Sequence, residues 1–198
     1  MNYSADYTAM DREALMQAVQ MRMSERRFTH VLGVEETAVA LAKRFGGSIE
    51  KASIAALVHD YAKERTDEEF QLAIEQGPYE NKTELLKYGN AIWHGLVGAY
   101  FVAQELTITD EEILDAIRLH TTGAAEMSLL AKIIYVADYI EPGRKFPGVE
   151  DARVIAFNDL DQAVAFETKH TLLHLIEGEN LIYPKTLETY NRWVCGLE

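Results

Sequence analysis

Ala55-Ala56-Leu57-Val58-His59-Asp60-Tyr61-Ala62-Lys63 decides the reading of this chain. A run of small and apolar residues at helical spacing ends on an imidazole, a carboxylate and, one turn later, an ammonium. Ala52, Ala55, Ala56 and His59 share one helix face, so the imidazole points where the alanines point, into a core. Burying an imidazole beside a carboxylate costs free energy unless something cationic binds them. A metal ion would supply that partner.

Working outward, the same arrangement recurs. His30 heads a stripe of Val34, Ala38, Leu41, Ala42 and Phe45 at three- and four-residue steps, closed by Gly46-Gly47. Ser48 reads as the N-cap of the helix that leads to His59. Thr66 with Glu69, and Thr109 with Glu112, read as capping boxes opening two more helices, and Gly77-Pro78 closes the first of them. Asn90 is expected to cap one helix carrying Ala91, His94, Gly98 and Phe101 on a single stripe. Ile113, Ile117 and His120 form the next stripe, ended by Thr121-Thr122-Gly123. Leu130, Ile134 and Asp138 form another, stopped by Pro142-Gly143. Helices from about Leu160 to Ile176 and from about Thr186 finish the chain. Strand-like alternation, repeats and linkers are absent, so the expected fold is an all-α bundle with its inward polar groups meeting at one point. That meeting requires His59 and His120 to lie within about 10 Å, because direct ligands sit only about 2 Å from their ions.

Composition narrows the function. With 198 residues, 48% of them hydrophobic, the chain can bury one large core and is expected to form a single domain over 1–198. The lone Cys195 excludes an internal disulfide framework and fits a reducing cytosol. The N-terminus lacks the basic and apolar regions of a signal peptide, and no run approaches the ~18 apolar residues of a membrane span. A soluble, cytoplasmic protein is expected. A net charge of -13 argues against nucleic acid as a partner, since phosphate neutralisation needs clustered Lys and Arg. A small anionic ligand still fits if metals and local cations reverse the field. The His/carboxylate set suits iron, manganese or a similar divalent ion, not a closed structural zinc site, which usually enlists thiolates. His170 and His174 are four apart but lack an intervening acid, and are read as core or surface residues.

Five segments, taken in order, resemble the HD-domain metal-dependent phosphohydrolases, and within them the YqeK-type branch of symmetrical bis(5'-nucleosyl)-tetraphosphatases. They are Arg27-Phe28-Thr29-His30, His59-Asp60-Tyr61-Ala62-Lys63, His94-Gly95, His120-Thr121-Thr122-Gly123 and Ala137-Asp138-Tyr139-Ile140-Glu141-Pro142-Gly143-Arg144. The resemblance covers a motif core of about 26–151, with the C-terminal helices expected to pack on it. It implies an HD-domain helical bundle that hydrolyses dinucleoside tetraphosphates, such as diadenosine tetraphosphate, to two nucleoside diphosphates. It further implies one ion, iron or manganese, on His30, His59, Asp60 and Asp138, and a second on His94 and His120 with Asp60 bridging.

Physical chemistry agrees with that assignment. A water shared by two ions about 3.5–4 Å apart ionises near neutral pH, so no protein nucleophile is required and Asp60 is catalytic through the pair it bridges. Phosphoanhydride cleavage places charge on a phosphate leaving group, which makes Lys63 the first candidate for a catalytic cation. Arg27 and Arg144 are expected to clamp the remaining phosphates, and the hydroxyls of Thr121 and Thr122 to contact substrate. Glu141, one turn past Asp138, could orient a ligand or take part in proton transfer but reads more as an exposed helix-end glutamate; Tyr61 and Tyr139 could stack on a base but read more as packing residues. The expected partner is a small dinucleoside polyphosphate or nucleotide, with neither nucleic acid nor membrane, and a homodimer is left open. Two alternatives stand beside this reading. One is another HD phosphohydrolase acting on monophosphates, cyclic dinucleotides or guanosine tetraphosphate; the other is a non-catalytic nucleotide-binding regulatory module.

Overall fold

A computed structural model describes residues 3–197, and among them all the regular structure is helical. The elements are α1 (Arg12–Gln20), α2 (Glu25–Phe45), α3 (Ile49–Val58), α4 (Asp67–Gln76), α5 (Lys82–Leu85), α6 (Asn90–Leu96), α7 (Gly98–Leu106), α8 (Glu111–Leu119), α9 (Leu129–Ile140), α10 (Val149–Asn158), α11 (Leu160–Glu177) and α12 (Pro184–Trp193). None of these helices is long and apolar enough to cross a membrane.

The centre of the bundle is α3. Every residue from Ala52 to Val58 is buried, so this helix is apolar all round, as a helix surrounded by others must be. α2, α8 and α9 pack against it and α2 and α8 also against α9, which gives the four-helix core. α2 turns Val31, Val34, Ala38 and Leu41 inward at helical spacing and ends at Gly46, whose φ of 74° suits a residue without Cβ. α10 packs on α9 and α11, α11 on α9, and α12 on α11.

Local signals decide most boundaries. Ser48 caps α3 by accepting from Lys51 N, and Thr66 and Glu69 form a full capping box on α4. Four expectations are corrected. At α8 the cap is Asp110, whose carboxylate accepts from Ile113 N; an aspartate one position closer to the first turn displaces the Thr109 hydroxyl. Asn90 lies inside α6 instead of capping it, and its amide donates to the Lys63 carbonyl, tying α6 to the His59 segment. The single helix expected from Asn90 through Phe101 breaks at Val97 into α6 and α7. Gly95 and Gly98 flank the break, and glycine holds helix geometry weakly. α12 also begins earlier than Thr186, because Pro184 is well suited to a first helical position.

The break directs α6 onto the rest. Phe70 of α4 sits 5.9 Å from the Trp93 ring and 5.7 Å from the Phe101 ring, and the Trp93 indole N–H donates to the Leu85 carbonyl. Buried aromatic pairs of this kind contribute roughly 0.5–1.5 kcal/mol each beyond their buried area. They anchor the helix that carries His94.

Candidate metal centre

Five helices deliver six ligand-type groups to one place. His30 lies in the second turn of α2, His59 and His120 are the residues just past the last turns of α3 and α8, His94 is in α6, and Asp138 is in the last turn of α9. Asp60 follows His59. The His59 and His120 rings are 5.0 Å apart, and those of His94 and His120 are 4.9 Å apart. His59, Asp60, His94 and His120 are buried; Asp138 and His30 are half-buried at the mouth.

The four imidazoles are oriented alike. Nδ1–H of His59 donates to the Ala56 carbonyl at 2.7 Å, that of His120 to Ile117 at 2.7 Å, and that of His94 to Asn90 at 2.6 Å. His30 Nδ1 bonds to Glu141 Oε1 at 3.1 Å. With Nδ1 committed outward, each Nε2 faces the centre, which is how a metal-ligating histidine is held. The free C-terminal carbonyls of α3 and α8 serve as two of those acceptors, so the helix ends themselves set the ring angles.

Asp60 stands in the middle with two faces. Its Oδ2 lies 3.6 Å from His30 Nε2 and 3.6 Å from His59 Nε2, while Oδ1 lies 3.5 Å from His94 Nε2 and 3.8 Å from His120 Nε2. Asp138 Oδ1 is 3.1 Å from His30 Nε2. Two overlapping triads, His30–His59–Asp138 and His59–Asp60–His120, have ligand atoms all within 4.8 Å of one another.

Electrostatics test whether these groups fit a cation. The Nε2 atoms of His30 and His59 are buried without a hydrogen-bond partner among the described residues, a cost a native core avoids unless a further group binds there. Burial, reinforced by Lys63, pushes His94 down to about 3, and burial with His59 pushes His120 down to about 4. Both rings are therefore neutral near pH 7 and offer a lone pair. Burial alone would raise the Asp60 carboxyl, but the facing imidazoles of His59 and His94 hold it well below the usual carboxylate range. A carboxylate with the neutral rings of His94 and His120 on one oxygen and the inward-turned Nε2 atoms of His30 and His59 on the other suits a divalent ion of the iron or manganese kind.

The cations take up positions at the rim. Arg27 Nη1 donates to Asp60 Oδ2 at 2.8 Å, and Arg144 donates to both the side chain and the backbone carbonyl of Asp138, the latter at 2.9 Å. Lys63 Nζ lies 3.2 Å from the His94 ring nitrogens, and burial pushes its ammonium below its ordinary value. Thr121 Oγ1 is 3.2 Å from Nε2 of both His94 and His120. Thr122 is not brought to the site: it is buried, its hydroxyl donates to the Gly123 carbonyl, and its own carbonyl accepts from Thr189. The two neighbouring hydroxyls thus go separate ways just past the last turn of α8, Thr121 to the histidines and Thr122 to the backbone. His170 and His174 do not join the cluster, but both line the cleft beside it.

Glu141 departs from its expected exposure. It is buried, bonded to His30 and to Gly143 N, and packed against Gly33 so closely that a Cβ there would lie 2.7 Å from its Oε2. The signal was its place three residues after Asp138. Glu141→Gln is expected to weaken metal affinity roughly 10- to 100-fold by unseating His30, the usual loss for an outer partner of a ligand. Titration of the stripped protein with manganese checks it, and unchanged affinity would remove Glu141 from the centre. Tyr61 is buried with its hydroxyl on Glu105, a packing role, whereas Tyr139 lies beside Phe146, the rings 4.7 Å apart, and lines the cleft.

Comparison with known proteins bears on the same residues. The HD domain family model matches residues 27–143, a span that holds all six ligand-type groups. The chain is 46% identical over 189 residues to the symmetrical bis(5'-nucleosyl)-tetraphosphatase of Bacillus subtilis (strain 168), covering 94% of this chain and 100% of that one. It is 45% identical over 183 residues to the protein of the same description from Halalkalibacterium halodurans, covering 92% of this chain and 97% of that one. A crystal structure from Clostridium acetobutylicum, described as a predicted HD superfamily hydrolase involved in NAD metabolism, superposes with a TM-score of 0.86 at 35% identity over 95% of this chain and 99% of that one.

Proposed function

The chain belongs to the HD-domain family, in its branch of symmetrical bis(5'-nucleosyl)-tetraphosphatases, and from that premise we propose that it cleaves dinucleoside tetraphosphates such as diadenosine tetraphosphate into two nucleoside diphosphates. One observation carries the chemistry: four imidazole Nε2 atoms face the two oxygens of a single buried aspartate, two to each oxygen. His30, His59, Asp60 and Asp138 would hold one divalent ion, iron in our reading, and His94 and His120 a second across Asp60. Ions in these positions supply Lewis-acid charge and an activated water.

The rest falls to the chain. Asp60, Asp138 and Glu141 bring three carboxylates and Arg27, Lys63 and Arg144 three cations, so the centre is balanced before any ion enters. Any bound dication then leaves it positive, which draws a polyphosphate to a protein of net charge -13. Lys63, the most buried of the three cations, stabilises charge on the departing phosphate. Arg27 and Arg144, at the rim, grip the flanking phosphates through planar guanidinium forks. Thr121 offers its hydroxyl beside His94 and His120. Residues 1–198 act as one domain in this reading, α11 and the start of α12 completing the wall of the cleft.

The bonds balance simply. A water oxygen bonds to a phosphorus next to the central bridging oxygen, the bond from that phosphorus to the bridge breaks, and the bridging oxygen leaves with the other diphosphate. Hydrolysis of diadenosine tetraphosphate in oxygen-18 water, with iron or manganese added, is expected to give ADP as the only nucleotide, half of it labelled. AMP with ATP would overturn the position of attack. No turnover with either metal would return the chain to the regulatory reading.

A further inference from the structure

Three clefts of about 1010, 720 and 470 Å³ lie along one groove through the metal centre. The first and second share Arg144 and Phe146; the second and third share Ala91, Thr121 and Thr171. Thr121 is the junction, since its hydroxyl is 3.2 Å from His94 and His120 and it also walls the third cleft. The third cleft therefore begins one residue from the chemistry, and at 470 Å³ it falls in the range of small-ligand pockets.

The chemistry of the walls changes along the groove. The first cleft carries Arg26, Arg27, Arg144 and Lys145 beside Glu36, Glu64 and Glu141, a charged wall with cations enough to meet phosphates. Among the described residues no Lys, Arg or His lines the third, and the only charged one in its wall is Glu179, so it would repel phosphate. Tyr88 and Tyr183, in edge-to-face contact with ring centres 4.9 Å apart, join Ile92, Leu175 and Leu181 to make it aromatic and apolar. Asn180 adds an amide with both donor and acceptor capacity. That combination suits a flat, uncharged ring with a hydrogen-bonding edge. Between this cleft and the metal centre, α11 presents Glu167, which is buried and whose Oε2 has no hydrogen-bond partner, and Thr171 one turn further on. An unpaired buried carboxyl oxygen facing a cleft calls for a hydroxyl donor.

We propose that the cleft walled by Tyr88 and Tyr183 is the nucleobase pocket for one nucleoside of the substrate, with Glu167 and Thr171 of α11 facing its ribose. The inference rests on the substrate being a nucleotide, as read above. It assigns a binding role to the face of α11 and to the turn between α11 and α12.

The test measures binding of ADP and of pyrophosphate to the metal-loaded protein by calorimetry. Tyr183→Ala is expected to weaken ADP about ten-fold or more, the usual loss when an aromatic partner of a base is removed, and to leave pyrophosphate unchanged. Tyr183→Phe should bind ADP like the parent. Leu181→Asp alters an exposed side chain, which keeps the fold out of question, and is expected to weaken ADP by placing a carboxylate in the pocket. ADP affinity unchanged in both Tyr183→Ala and Leu181→Asp overturns the proposal, even if the protein still releases ADP from diadenosine tetraphosphate. Selective loss of ADP affinity upholds the pocket even if that hydrolysis fails, in which case only the reading of the reaction falls.

Discussion

Asp60→Asn will release the metal and abolish turnover together, with hydrolysis of diadenosine tetraphosphate falling by at least about 10³-fold, the scale on which loss of a central catalytic group is felt. Asp60 is the only residue of the centre within 3.8 Å of all four imidazole Nε2 atoms, and it reaches them through separate oxygens. An amide keeps the shape but offers only one oxygen and no charge, so under the proposed assignment the two halves of the centre would lose the ligand they share. Metal content by mass spectrometry and rate are measured on the same sample. Full metal occupancy in an inactive variant would show that Asp60 acts otherwise than as the bridge.

Lys63→Ala separates the two properties. Its ammonium lies against the His94 ring and lines the cleft, yet it lacks a lone pair to give a metal while charged. Removing it is expected to lower kcat roughly 10²- to 10³-fold, as for loss of one donor that meets charge developing in the transition state, with metal content unchanged. Metal loss equal to that of Asp60→Asn would refute the division of labour between these two residues.

The ligand-type groups were legible because each lies on a helix whose 3.6-residue period states which way it points. His30 follows the face of Val34 and Ala38, and His59 that of Ala52, Ala55 and Ala56. Glu141 could not be settled between orienting a ligand and facing solvent because the chain leaves helical geometry there, at φ -51° and ψ 155°, and periodicity says nothing of where an extended residue turns. Thr121 and Thr122 could not be told apart because both lie beyond the last turn of α8, where the helical period no longer says which hydroxyl reaches His94 and which turns away. The break at Val97 was hidden because an apolar stripe runs through it without interruption. The wall formed by α11 was illegible for another reason: Glu167 and Thr171 lie far along the chain from His94 and Thr121, and only the packing of α11 on α9 brings them to one cleft.

The six groups of the centre are drawn from five helices spread between residues 30 and 138 of the chain, and none of the helices can hold an ion alone. An unfolded chain thus has no such site, and any ion the centre takes is bound by the folded form only. Free metal at about 100 times its dissociation constant would then add about 2.7 kcal/mol to the stability of the fold, a large part of what a domain of this size usually has. The lifetime of the protein in a proteolytic environment is in this way coupled to metal supply, and scarcity of the ion would thin the enzyme itself as well as its loaded fraction.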